Sequence, residues 1–273
     1  MKSSQGHTLP QIYLVRHGET EWSLSGQHTG RTDVALTERG ERHAVRLRER
    51  LNDIRFVKVF TSPLRRARRT CELAGLGQQA EPDPDLMEWN YGEYEGRRTA
   101  EIQQMRPGWN LFRDGCPGGE TLVQISARAD RVVDRLRRAT SLVAIFSHGH
   151  FLRVLTARWL ALPAIEARRF FLKAAALSIL GYEHDSVDEP VLVLWNDECK
   201  SPSAFSPIGL AGTPRLHLVS IVQHSCEKGI EVASSDRRRI ERKGKACVTS
   251  QRPPRTASMA SWMIPLLATI SWS

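Results

Sequence analysis

Short apolar runs bounded by polar residues recur along the first 200 positions of the chain. Ile12-Tyr13-Leu14-Val15, Phe56–Phe60, Leu142–Phe146, Leu177–Tyr182 and Val191–Trp195 each have the length and flanks of a buried strand. Between them the spacing changes to a helical period. Over 38–51, with Thr37 as N-cap, Ala44, Leu47, Arg48 and Leu51 share one face. Over 120–139, Leu122, Ile125, Ala129, Val132, Val133 and Leu136 form a stripe. Further helices are expected after Thr61-Ser62-Pro63, with Ser62 as cap and Pro63 at the first helical position, and near 150–161. The segments 19–36 and 81–85 read as loops, 116–119 as a turn, and 183–190 as an acidic link between the last two strands. Strands alternating with helices predict an α/β fold with a mostly parallel sheet covered on both faces.

In such a sheet, the loops leaving the carboxyl ends of the strands build the active site. Two of the predicted strands end in histidine. Arg16-His17-Gly18-Glu19-Thr20 follows the first, and Ser147-His148-Gly149-His150 follows the third. Both rings can therefore reach one crevice, an arrangement suited to covalent phosphoryl transfer. That chemistry needs a nucleophile, positive charge around the phosphoryl oxygens, and a proton for the leaving oxygen. His17 can attack phosphorus as a neutral imidazole. Arg16 lies beside it. Arg66 comes from the helix after the second strand and can hold two oxygens with its planar fork. His148 supplies another donor, charged where its neighbours allow. Glu88 is the candidate acid, with flanking aromatics and a dianionic substrate both favouring its protonated form.

Charge adds little to this picture. The 39 basic and 30 acidic residues give +9, but residues 201–273 alone hold 10 basic against 4 acidic. The body of the chain is nearly balanced, and no nucleic-acid partner is expected. Five scattered cysteines form no CxxC or zinc spacing, which fits reduced thiols in a cytoplasmic protein, with no metal site. The polar start lacks the apolar core of a signal peptide, and no stretch approaches the roughly 20 apolar residues of a membrane span. The expected organisation is a leader at 1–8, one domain at 9–199, and a disordered basic tail at 200–273. Self-association stays open.

Four separated motifs, in order, carry a resemblance. Arg16-His17-Gly18, Leu64-Arg65-Arg66-Ala67, Glu88 within Glu-x-x-Tyr-Gly-x-x-x-Gly, and Ser147-His148-Gly149 resemble the histidine phosphatase superfamily, branch 1, the phosphoglycerate-mutase-like group. The resemblance spans about residues 9–197. It implies a three-layer α/β/α sandwich and a phosphohistidine intermediate. It also implies His17 as nucleophile, Glu88 as acid/base, a phosphate pocket of Arg16, Arg66 and His148, and no cofactor. Finer features, Glu21-Trp22-Ser23 through Gly26-Gln27-His28-Thr29-Gly30 to Thr32-Asp33, and Trp109-x-x-x-Arg113-Asp114-Gly115-Cys116, are similar to sedoheptulose-bisphosphatase-like proteins and related bacterial acid phosphatases. The resemblance adds Ser23, Thr29, Gly30 and Gly149 as phosphate contacts and Glu120 as a recurrent position. Mutases of the group carry Asn at the place of Ser23 and a longer insertion between the acid and the second histidine.

The expected function is hydrolysis of small phosphomonoesters such as sugar phosphates. The alternatives are mutase-type transfer and a non-catalytic module that binds phosphorylated ligands. His28 and His150 are read as rim or packing residues, Arg65, Arg68 and Arg69 as solvated helix charges, and Trp89, Tyr91 and Tyr94 as core.

Overall fold

The computed structural model describes residues 9–198; the expectations for 1–8 and 200–273 lie outside the described residues. Six strands form one sheet: β1 (Ile12–Arg16), β2 (Lys58–Thr61), β3 (Ala80–Pro82), β4 (Val143–Ser147), β5 (Leu177–Tyr182) and β6 (Pro190–Asp197), in the order β3-β2-β4-β1-β5-β6. The strands from β3 to β1 are parallel, β5 runs antiparallel to β1, and β6 antiparallel to β5. The two histidine-bearing strands are direct neighbours, with Arg16 opposite Ser147 in register. Their carboxyl ends therefore open onto the same edge of the sheet.

Strand alternation sorts the core into two layers. Ile12, Leu14, Val143 and Ile145 face one cluster, while Val15, Ala144 and Phe146 face the other. The first cluster is covered by α6 (Leu122–Arg137) and α7 (Gly149–Trp159), the second by α2 (Glu38–Leu51) and α3 (Arg65–Leu73). The architecture is thus an α/β sandwich with helices on both faces, as the periodicity predicts. The stripe on α6 buries Ile125, Ala129, Val132, Val133 and Leu136. Truncating Ile125 or Leu136 to alanine would cost about 2–5 kcal/mol.

Differences from the sequence reading cluster where local signals are weak. The segment 19–36 contains a short helix, α1 (Glu21–Ser25), closed by a reciprocal capping box between Thr20 and Ser23. Two more short helices, α4 (Thr99–Met105) and α5 (Leu111–Asp114), fill the stretch between Gly96 and Gly115. Within 81–85 the chain joins the sheet as β3, a three-residue edge strand, where Pro82 is tolerated. The helix after the second strand begins later than expected. Leu64, not Ser62, is the N-cap of α3, and it offers no side-chain cap.

Candidate active site

The site is built at two strand-to-helix corners. At the first, β1 delivers His17 into a backbone held by three bonds: His17 N–H to Ser147 O at 2.9 Å, Ala175 N–H to His17 O at 3.0 Å, and Gly18 N–H to Thr70 Oγ1 at 2.9 Å. Gly18 is required by close approach, because a Cβ there would lie 2.7 Å from Gly40 O. His17 Nδ1 lies 2.7 Å from Gly18 O. A carbonyl only accepts, so Nδ1 carries the proton and Nε2 is left with the lone pair. Burial, then Arg66 and Arg16, hold this imidazole well below the usual histidine range. His17 is therefore a neutral, oriented nucleophile.

At the second corner, β4 ends in His148, whose ring centroid lies 5.2 Å from that of His17. His148 Nε2 is 2.7 Å from Ser62 Oγ, and that hydroxyl accepts from Leu64 N–H. A serine hydroxyl can donate to Nε2 or accept from it, and the other ring nitrogen, Nδ1, is buried without a partner among the described residues. Burial, then Arg66, His17 and Arg16, hold His148 well below the usual histidine range, so the ring is a neutral hydrogen-bonding group where the sequence suggested a charge. Ser62, expected as a helix cap, instead orients this ring.

Arg66 is buried and Arg16 half-buried, and burial lowers each from its ordinary value, opposed first by Glu88. Arg66 binds the carbonyls of Thr29, Gly30 and Thr32, and Arg16 that of Leu172. Each leaves its Nε without a partner among the described residues. Of the four buried side-chain polar atoms unpaired among the described residues, three belong to Arg16, Arg66 and His148. An unpaired buried polar atom costs about 1–3 kcal/mol, so three on residues that neighbour His17 mark a place shaped for a polar ligand. Gly149 lets Arg16 in: a Cβ there would meet its Cζ at 3.2 Å.

Glu88 is brought to the same place by an unexpected route. Its carboxylate accepts N–H bonds from Trp89 (2.9 Å), His150 (3.0 Å) and Phe151 (2.8 Å). It thereby caps α7, whose own N-cap residue His148 provides no cap. The surroundings of the carboxylate are backbone N–H groups, while the Trp89 indole turns away into the core and donates to Glu120 O at 2.8 Å.

A crevice of about 260 Å³ opens here, lined by Arg16, His17, Ser23, Thr29 and Glu88 among others, while Arg66 and His148 are not among its lining residues. Ser23 and Thr29 are thus at the mouth, although the Ser23 hydroxyl is engaged with Thr20. Gly30 does not line the crevice, and its N–H donates to Glu95 at 2.8 Å. His28, Tyr91 and His150 line the crevice as well. The segment before Glu88 is clamped by Arg128, whose guanidinium binds the carbonyls of Asp85, Met87 and Glu88 and pairs with Glu120. Sequence reading missed Arg128, yet an arginine beside Ile125 and Ala129 on an apolar stripe was the available signal. The expected solvated charges hold: Arg65, Arg68 and Arg69 are exposed. Among the described residues, no group of three His, Cys, Asp or Glu is placed to hold a metal ion. No helix among them is long and apolar enough to cross a membrane.

Residues 12–198 match the histidine phosphatase superfamily, branch 1. The chain is 41% identical over 178 residues to an acid phosphatase of Mycobacterium tuberculosis, covering 64% of this chain and 87% of that protein. It is 34% identical to the sedoheptulose 1,7-bisphosphatase of Saccharomyces cerevisiae, covering 68% of this chain and 92% of that protein. The solved structure of the Mycobacterium tuberculosis open reading frame Rv3214 is similar at a TM-score of 0.64 and 39% identity, over 69% of this chain and 98% of that one. With the motifs, the fold and these relatives in agreement, the chain belongs to the histidine phosphatase superfamily, branch 1, as a hydrolase of phosphomonoesters.

Proposed function

We propose that this chain hydrolyses small phosphomonoesters, sugar phosphates among them, in two steps through a phosphohistidine at His17. The observation that carries the reading is that Arg16 Nε, Arg66 Nε and His148 Nδ1 are buried without partners among the described residues, on side chains that neighbour His17 and its lone pair. In the first step His17 Nε2 attacks phosphorus in line. The bond from phosphorus to the ester oxygen breaks, and Glu88 gives its proton to the departing alkoxide. In the second step a water attacks the phosphohistidine, Glu88 takes the proton from that water, and the P–N bond breaks to release inorganic phosphate. Arg16, Arg66 and His148 hold the phosphoryl oxygens as charge shifts among them. No metal or organic cofactor takes part in this scheme. Free thiols at Cys71 and Cys116 support a reducing, cytoplasmic setting.

Rapid acid-free quenching of turnover with 32P-labelled substrate should trap an alkali-stable, acid-labile label on the peptide containing His17. The His17→Ala chain should fold, carry no label and release no phosphate. Normal turnover in that folded variant overturns the nucleophile assignment. Only 60 positions separate Glu88 from His148, leaving little material to close over the crevice and exclude water. Hydrolysis is therefore preferred to mutase transfer. Movement of label between positions of phosphoglycerate, with little free phosphate, would reverse that preference.

A further inference from the structure

The anion centre accounts for the floor of the crevice and leaves its outer wall unexplained. Beyond Arg16 and Glu88, no lining residue carries a fixed charge. The wall is dominated by two imidazoles, His28 and His150, with Tyr91 between them. The His28 ring lies 4.8 Å from Tyr91 and 6.1 Å from His150. Trp109 and Phe112 pack against the two imidazoles at 5.7 and 5.6 Å and fix their planes.

Each ring has one nitrogen engaged. His150 Nδ1 is 2.6 Å from the Tyr91 hydroxyl, and His28 Nε2 is 3.3 Å from Thr99 Oγ1. The other nitrogen of each ring has no partner among the described residues and belongs to a residue that lines the crevice. Burial keeps both rings neutral, pushing His28 down to about 4 and His150 well below the histidine range. A neutral imidazole offers a hydrogen bond and no ion pair. Arg153, near enough to depress His150, is tied to the carbonyls of Ala167 and Arg168 and lies over the Phe112 ring. An anionic group on this wall would lose its hydration without gaining a partner cation, whereas a hydroxyl would find a matched partner.

Resting on the hydrolase reading above, we infer that His28 and His150 form the leaving-group subsite and that it reads the hydroxyls of an uncharged polyol. The substrate is then a monophosphate of a sugar or sugar alcohol, not a bisphosphate or a phosphorylated carboxylic acid.

Three esters of similar size separate these cases: glycerol 1-phosphate, n-propyl phosphate and 3-phosphoglycerate. The full-length chain should favour glycerol 1-phosphate over each of the others by tenfold or more in kcat/KM, since a site built for hydroxyls discriminates strongly against analogues that lack them. In His28→Phe and His150→Phe the ratio of glycerol 1-phosphate to n-propyl phosphate should fall toward one, mainly through KM. A wild-type ratio near one, or a preference for 3-phosphoglycerate, overturns the inference even if neither variant folds. A high ratio unchanged in both folded variants removes it from these two residues. Failure of the wild-type chain to hydrolyse any ester, p-nitrophenyl phosphate included, sinks the hydrolase reading itself and this inference with it.

Discussion

Two pairs of helices in this protein are started in opposite ways. α2 and α6 carry their own caps: Thr37 accepts from Gly40 N–H, and Thr121 from Gln124 N–H in a reciprocal box with the Gln124 side chain. α3 and α7 carry none, since Leu64 and His148 make no side-chain cap bond. Their free N–H groups are met by carboxylates from far along the chain, Asp33 on Arg65 N–H at 2.8 Å and Glu88 on His150 and Phe151. The self-capped helices support the core. The remotely capped ones bear Arg66 and follow His148, and both begin at the anion site. Leaving the helix start without a local cap frees the position for a functional side chain and makes the acid part of the scaffold.

The sharpest way to break this contrast is Glu88→Gln. The amide oxygen can still accept an N–H from α7, so the fold should survive while the transferable proton is lost. Turnover of alkyl phosphates should fall about 10²–10⁴-fold, and that of p-nitrophenyl phosphate, whose leaving group needs no proton, far less. Equal losses for both would show that Glu88 serves the helix and not the reaction.

Acidification probes the site through its charges. His17, His148 and His150 are held well below the ordinary histidine pKa, and His28 lies at about 4, in each case with burial as the first cause. Below about pH 6.5 the unfolded chain takes up protons that the folded chain refuses, so stability falls as pH drops toward the folded values. Each such imidazole contributes a slope of up to about 1.4 kcal/mol per pH unit. Thermal unfolding between pH 7 and 5 should show a falling Tm, and inorganic phosphate should oppose the fall by supplying the missing counter-charge. A flat profile would mean that these rings are charged in the fold.

Asp33→Ala should uncap α3 at a cost of about 1 kcal/mol and raise KM severalfold, because α3 carries Arg66. Asp33→Asn should restore both, which separates capping from charge. Thr121→Ala should cost a similar 1 kcal/mol, lowering Tm by about 2–4 °C, with kcat/KM unaltered. A loss of activity there would erase the distinction between the two kinds of helix.

Long elements were legible because their periodicity is set locally. The α6 stripe, the Thr37 cap and the apolar runs of β1, β4 and β5 are each readable within a few residues. The short pieces were not, since α1, α5 and β3 have five residues or fewer and depend on what they pack against. Ser62 shows the limit of local signals. Ser-Pro looks like a helix start, but the hydroxyl faces His148, 86 positions away. Arg128 was hidden for the same reason, its carbonyl ligands lying about 40 positions earlier on a segment that begins with a single 3-10 turn.

By itself, the sequence determined which side chains could do chemistry and which strands would carry them, because residue type and apolar period are properties of short stretches. Only the tertiary structure decided the proton position on His17 and the division of labour. The carbonyl of Gly18 assigns the free nitrogen of His17, the hydroxyl of Ser62 occupies Nε2 of His148 and leaves its Nδ1 unpaired, and the start of α7 fixes the Glu88 carboxylate. Those roles depend on hydrogen-bond partners at specific distances, and the long-range ones join groups that only folding brings together.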